Sequence, residues 1–421
     1  MKKTLILKLL LAIVIIAMAS IYLPEFYWKT FPHRYYLPRV AYSPILNDLL
    51  ITKGDFKKAR ILDLNGNSYS SKEYEALVPQ TAFAQLVFIG QLPDTVNGVH
   101  FTVPELRKNL FRINFESAEI DAIQFLMYPL IESKPNRASL SFPHEFFCIK
   151  REFQVVDSRT NLVLDNMSSR YSLALIDRGF KFPAKEMFGN PTTRKPFDEG
   201  YFVIDNEDKF YHIKRIEDEP FVRKINLPDG VKVVHMVVAE RDLREFYGFF
   251  VTEDNRLFMI ENNTYNLVEL PISDYNYKTS LLSINADILY RRVNIINDNK
   301  ISVLILDRNY KVITTFKDSV THKDETTVGQ VASFIFPFTL QFTSVNSQYI
   351  NLYPSINGFN FIIVNIILSG LFLLFLIIRK FDIKSSILPI AIILVTGIYG
   401  VIAVSVLRDF KKKNSTGVSN E

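Results

Sequence analysis

Cysteine is nearly missing: Cys148 is the single one in 421 residues, which excludes an internal disulfide framework and any multi-cysteine zinc site. With only 15 glycines and 19 prolines, and with 49 Lys plus Arg against 44 Asp plus Glu, the chain is not collagen-like, low-complexity or an acidic disordered tail. Catalytic signatures are missing as well. There is no Gly-x-Ser-x-Gly elbow, no Gly-x-Gly-x-x-Gly fingerprint and no phosphate loop ending in Gly-Lys-Ser/Thr, so neither nucleotide-driven nor serine-hydrolase chemistry is announced. The six histidines stand singly, without ligand spacing, and no metal or cofactor is expected. His212 and His235, on apolar strand patterns, read as ordinary core or surface residues, and Cys148 between Phe147 and Ile149 as a small core residue.

What the chain has in quantity is apolar sequence, 48% of the whole, concentrated at both ends. Residues 5–22 form an 18-residue run whose only charge is Lys8, preceded by Lys2 and Lys3, which reads as a signal anchor or signal peptide over residues 1–22. Ala17-Met18-Ala19 resembles a leader-peptidase site, whereas the aromatic exit beyond Tyr22 suits an uncleaved anchor, the favoured reading. Residues 359–378 are twenty uncharged, mostly apolar residues, and residues 387–407 are a second such run after a short basic loop. A two-helix transmembrane hairpin is therefore expected over 358–407, followed by a basic tail, 408–421.

Once the ends are set aside, residues 23–357 hold 39 basic and 41 acidic side chains. That balance gives no electrostatic footprint for nucleic acid, and no nucleic-acid partner is expected. Flanking charge nearly ties on orientation. The first-span rule favours an inside N-terminus, with residues 23–357 outside the cytoplasm of a bacterial cell, in the periplasm, and the spans in the inner membrane. An inverted topology would leave that domain cytoplasmic.

Between the apolar ends the pattern is short runs of Val, Ile, Phe and Tyr separated by Asp, Asn and Gly clusters, a mainly β domain. Three short helices are expected from start signals: after Ser43-Pro44 over 45–50, after Ser70 with Glu73, and after Thr102 with Glu105. Hairpins recur. Residues 202–213 align with 250–260 at an offset of 48, residues 156–162 repeat the acidic turn upstream, 62–67 lie a double step earlier, and 295–300 continue downstream. Blades of four strands repeat at about 40–50 residues, so a propeller-like body and an irregular multi-sheet β domain are the two readings. Pro183, Pro191 and the stretch 317–327 would be blade connections or a boundary before the membrane-proximal cluster 334–338. Phe334-Ile335-Phe336-Pro337-Phe338 is too short to span and reads as a buried strand or interfacial contact.

Asp63-x-Asn65-x-Asn67 lacks the glycine and glutamate of a calcium loop and reads as an Asx turn. The densest polar segment is Gly189-Asn190-Pro191-Thr192-Thr193-Arg194-Lys195-Pro196-Phe197-Asp198-Glu199-Gly200. Stiffened by two prolines, it is able to present Arg194 and Lys195 to an anion or partner, with Asp198 and Glu199 orienting them or acting as acid and base. The plainer reading is an ordered connection whose charges pair with one another and with solvent.

Tyr128-Pro129-Leu130-Ile131-Glu132-Ser133, Gly179-Phe180-Lys181-Phe182-Pro183-Ala184-Lys185 and the segment 189–201 resemble an uncharacterised family of membrane-anchored Bacteroidetes proteins, over most of the chain. The resemblance implies genes beside those for ABC transporter subunits, and it brings no assigned activity or catalytic residues to carry over. A membrane-anchored extracytoplasmic accessory or sensor of a transport complex is the leading expectation. An exported hydrolase or lyase with its site around Arg194, Lys195, Asp198 and Glu199 is the alternative.

Overall fold

A computed structural model describes residues 2–33, 35–55, 58–123, 125–356 and 358–407, with side chains from residue 6 onward. The side chains of Lys2 and Lys3 and the basic tail 408–421 lie outside the described residues. The chain divides into a β unit, residues 36–319 with 345–347, and a helical unit built from 1–35, 320–344 and the C-terminal segment.

Besides a two-stranded hairpin, Thr95–Val96 with Val99–His100, five larger antiparallel sheets follow one another through the described residues of the β unit, four of them in simple chain order. The first joins Arg39–Ser43, Asp48–Lys53, Arg60–Leu62 and Ser68–Tyr69; the second Tyr128–Pro129, Glu145–Ile149, Phe153–Asp157 and Leu162–Val163. The third joins Glu186–Gly189, Tyr201–Ile204, Phe210–Ile216 and Glu219–Ile225; the fourth Val233–Val238, Phe246–Thr252, Leu257–Glu261 and Leu267–Leu270. The fifth is Leu281–Ala286, Arg291–Asn297, Lys300–Leu306 and Val312–Ser319, and Phe111–Phe115, from far upstream, pairs with its first strand. These are meanders joined by Asp/Asn turns: Asp208, Asn255 and Asp298 all take positive φ, which their short polar side chains tolerate.

The sheets pack face on face in a series. Shared clusters join the second sheet to the third, the third to the fourth, the fourth to the fifth and the fifth to the first. Phe202, Phe249, Phe250, Val251, Val293 and Leu306 are buried completely, burial that contributes about 1.5–3 kcal/mol for each large apolar side chain. Among the described residues no hydrophobic cluster joins the first sheet to the second, and no barrel closes.

The expected hairpin repeat has a structural counterpart with one phase error. The turns near 205–208, 253–255 and 298–299 each link the second and third strands of successive sheets, whereas those at 158–161 and 63–67 link third and fourth strands. Both capping boxes form. Ser70 N–H donates to Glu73 Oε2 at 2.7 Å and Thr102 N–H to Glu105 Oε2 at 2.7 Å, opening the helices Ser71–Leu77 and Val103–Asn109. The helix expected over 45–50 is instead a β-hairpin. Ser43 is the last residue of a strand, its Oγ donates to Leu77 O and accepts from Leu46 N–H, and Asn47 at φ +51° turns the chain back. Of the stretch 317–327, the first three residues belong to a strand and the last begins the helix Thr327–Ile335. That helix also takes in Phe334 and Ile335, so of the two readings of the cluster, buried strand or interfacial contact, the strand is corrected to a helix end, with Phe336 packed on Tyr399.

In the helical unit Lys2–Thr30 is one continuous helix, and Phe361–Ile378 is a second. Both are long and apolar enough to cross a membrane, with 11% and 17% of their most apolar windows buried. The single span expected over 387–407 is broken. It forms two ten-residue helices, Ile387–Thr396 and Ile398–Leu407, about Gly397 at φ +55° and ψ −125°. Asn365, 2% exposed, lies in the break, and its amide donates to Leu394 O at 3.0 Å and Val395 O at 3.3 Å. An added Cβ at 397 would collide with the Asn365 carboxamide oxygen. Glycine is thus required there by dihedral and by space.

Candidate functional site

The loop 189–200 connects the first two strands of the third sheet, and its charges point in different directions. Arg194 is exposed, and its backbone N–H closes a turn on Thr192 Oγ1. The Lys195 side chain is buried, and its ammonium group donates to Asn190 O at 2.8 Å, Asp198 Oδ1 at 2.6 Å and Glu240 Oε1 at 2.6 Å. All three N–H hydrogens are engaged. Asp198 Oδ2 accepts from Ser133 Oγ at 2.6 Å and from Gly200 N–H at 2.9 Å. Gly200, at φ +67° with Ile213 O against it, admits no Cβ, which lets the chain turn directly into Tyr201–Ile204.

Glu199 turns away from this cluster. Its carboxylate pairs with Lys214, whose ammonium sits 5.0 Å from the Tyr247 ring centre. Its carbonyl accepts from His212 Nε2–H, while His212 Nδ1 accepts from Tyr265 Oη at 2.7 Å. Stacked 4.0 Å from Phe202 and fully buried, His212 is held neutral: desolvation first, then the nearby Lys214 charge, keep its pKa well below the usual histidine value. Adjacent residues in an extended chain face opposite sides, so Asp198 and Glu199 serve two separate buried clusters and do not converge.

Sequence reasoning missed Glu240, the partner that completes the first cluster. Buried itself, it accepts from Lys195 and from Glu199 N–H at 2.8 Å through Oε1, and its Oε2 has no partner. Desolvation raises its pKa to about 7, against the lowering effects of Lys195 and the Glu199 N–H. The only advance signal was its place in Ala239-Glu240-Arg241-Asp242, a charged run just past a strand.

Arg194, Lys195 and Glu240 line one wall of a cleft of about 400 Å³, with Arg107, Lys108, Arg112 and Arg241 among its other walls. A second cleft of about 410 Å³ shares Leu110, Arg112 and Arg241 with it and is lined by Tyr42, Gln80, Phe111 and Tyr290. The remaining sequence candidates are structural. Asp63 accepts from Asn67 N–H and Nδ2 at 2.8 Å each and from Tyr69 Oη at 2.9 Å, an Asx turn as expected. Cys148 is buried in the second sheet, and His235 lies edge-on to Phe115 and Phe188.

No curated protein matches the chain. A family model described as a domain of unknown function, DUF4857, matches residues 39–306, which takes in the first four sheets, most of the fifth and both clefts. The chain belongs to the DUF4857 family.

Proposed function

We propose that this protein is a membrane-anchored, non-enzymatic accessory or sensor of a transport complex, with its β unit periplasmic and its apolar helices in a bacterial inner membrane. The observation that carries this reading is the pair of long helices, Lys2–Thr30 and Phe361–Ile378, with outward apolar surface, in a chain that also holds a large β unit. Helix continuity through Ala17–Ala19 supports an uncleaved anchor. Saturation of Lys195, Asp198 and Glu199 by internal partners supports an architectural role for the loop 189–200, which leaves Arg194 to the surface. The serial packing of four-stranded meanders supports an open, propeller-like body. The resemblance to Bacteroidetes proteins encoded beside ABC transporter subunits supplies the partner class.

Mild detergent extraction should co-purify the full chain with transporter subunits; a monodisperse protein without them sinks the accessory role. A protease site inserted in the exposed turn at Asn309 should be cleaved once the outer envelope is opened with the inner membrane intact. Protection until that membrane is lysed would reverse the topology.

A second reading, an exported hydrolase or lyase, is favoured by one observation: the free Oε2 of Glu240, a buried carboxyl with a pKa near neutrality at the wall of a cleft. On that reading Lys195 and Asp198 position Glu240 as a general acid–base. Glu240→Gln should then abolish turnover in protein that thermal unfolding shows to be still folded, beyond any loss its weakened pairing with Lys195 causes, and a folded variant that leaves every phenotype unchanged rules it out.

A further inference from the structure

The two clefts meet at Leu110, Arg112 and Arg241, and their chemistry differs. Besides Lys195, which is bound to Asp198 and Glu240, five cations border the cleft of about 400 Å³: Arg107 and Lys108 in the last turn of the helix Val103–Asn109, Arg112 on the strand added to the fifth sheet, Arg194 on the proline-stiffened loop, and Arg241 beyond the fourth sheet's first strand. None of the five makes an ion pair among the described residues. Elsewhere on the same unit Lys134, Arg170, Arg256 and Lys317 each hold a carboxylate within 2.6 Å. Of the acidic groups in that lining, Glu240 is committed to Lys195, which leaves Asp242 against five positive charges.

Two of the guanidinium groups are held in place. Arg112 Nε donates to Asn114 Oδ1 at 2.9 Å, which leaves its two terminal nitrogens free, and Arg241 Nη2 donates to Arg112 O at 3.3 Å, its guanidinium 5.7 Å from the Phe111 ring centre. Like charges anchored side by side repel unless an anion lies between them, and a guanidinium fork matches phosphate oxygens two at a time.

The other lobe suits a flat, less polar group. Tyr42 and Tyr290 meet edge to face with centres 4.8 Å apart, beside Phe111, Ala41, Ala286 and Ile305. Gln80, only 1% exposed, donates through Nε2 to Tyr42 O at 3.2 Å, while its Oε1 has no partner. A buried acceptor without a donor is costly, and Gln80 is one of the residues that line the lobe. A ligand N–H or O–H would satisfy it.

We infer that the joined clefts form a binding site for a small ring-bearing organic phosphate, its phosphate groups on Arg112 and Arg241 and its ring in the Tyr42/Tyr290 lobe with a donor on Gln80. This deepens the sensor reading by naming the ligand class, and it rests on that reading only for its cellular setting.

The test is titration calorimetry on the detergent-solubilised full chain at low salt, with pyrophosphate, adenosine and ADP as probes. ADP should bind saturably and at least about tenfold more tightly than either pyrophosphate or adenosine, since it alone fills both lobes. Arg112→Ala with Arg241→Ala should weaken pyrophosphate and ADP by at least about tenfold. Gln80→Leu should weaken ADP and adenosine while sparing pyrophosphate. Both guanidinium groups are on the surface, so unchanged thermal unfolding should accompany that loss, and Arg112→Lys should restore part of it. No saturable binding, equal affinity for ADP and pyrophosphate, or indifference to the double variant would overturn the site. Failure here with transporter subunits still co-purifying refutes the ligand and leaves the accessory role standing.

Discussion

Lys195 illustrates how a residue's environment decides its role. Its ammonium group is buried against Asp198 and Glu240, and removing one partner of such a cluster leaves uncompensated buried charge. Lys195→Met should destabilise the β unit by about 3 kcal/mol, measured as a shift in urea midpoint, whereas Arg194→Ala should stay within about 0.5 kcal/mol. Histidine sets a pH dependence of definite sign. Burial lowers His235 to about 4 from an unfolded value near 6.5, so the unfolded chain takes up a proton first as pH falls. Stability is therefore full above about pH 6.5 and declines between there and about pH 4, by up to about 3 kcal/mol from this group. His212, depressed by its own burial, adds in the same direction. His235→Phe should reduce the loss in urea midpoint between pH 7 and 5; an unchanged loss would mean that this imidazole is not buried neutral.

At the scale of elements, the broken apolar helix of the C-terminal segment depends on two residues acting together. Gly397 provides a dihedral that side chains avoid, and Asn365 supplies donors to the carbonyls that the break releases. Asn365→Leu should cost about 1–3 kcal/mol through unpaired Leu394 and Val395 carbonyls. Gly397→Ala should be at least as harmful, because the added methyl meets Asn365. Both effects are measurable as lowered thermal midpoints in detergent, and a neutral Gly397→Ala would show that the break is dispensable. In the β unit the comparable device is the strand Phe111–Phe115, which joins the fifth sheet and carries Arg112 to the meeting point of the clefts.

For the whole molecule, the decisive property is the exposure of long apolar helices together with a β unit whose charges nearly cancel. Helices of this length and composition are compatible with membrane anchoring. The chain should therefore stay with the membrane fraction after an alkaline carbonate wash, followed by immunoblot, and release into the supernatant would contradict membrane insertion. Shuffling of sheets is prevented by the serial clusters, each of which ties one sheet only to its neighbours.

The amino-acid sequence by itself determined the elements whose signals are local: the apolar runs at both ends, the alternating strands with Asp/Asn turns, the two capping boxes and the Asx turn at Asp63. Each rests on contacts within a few residues, so pattern suffices. Where a local signal competed with a distant partner, it misled. Ser43-Pro44 resembles a helix start, but Ser43 Oγ finds Leu77 O and the strand pairing prevails. The run 387–407 looks like one span until Asn365, on a different helix, enters it. Tertiary structure alone decided which of Arg194, Lys195, Asp198 and Glu199 remain free, because their partners Ser133, Lys214 and Glu240 lie 15 to 65 positions away. The same holds for the joined clefts, whose lining comes from sheets far apart in the chain, since charge and concavity there are properties of packing and not of spacing.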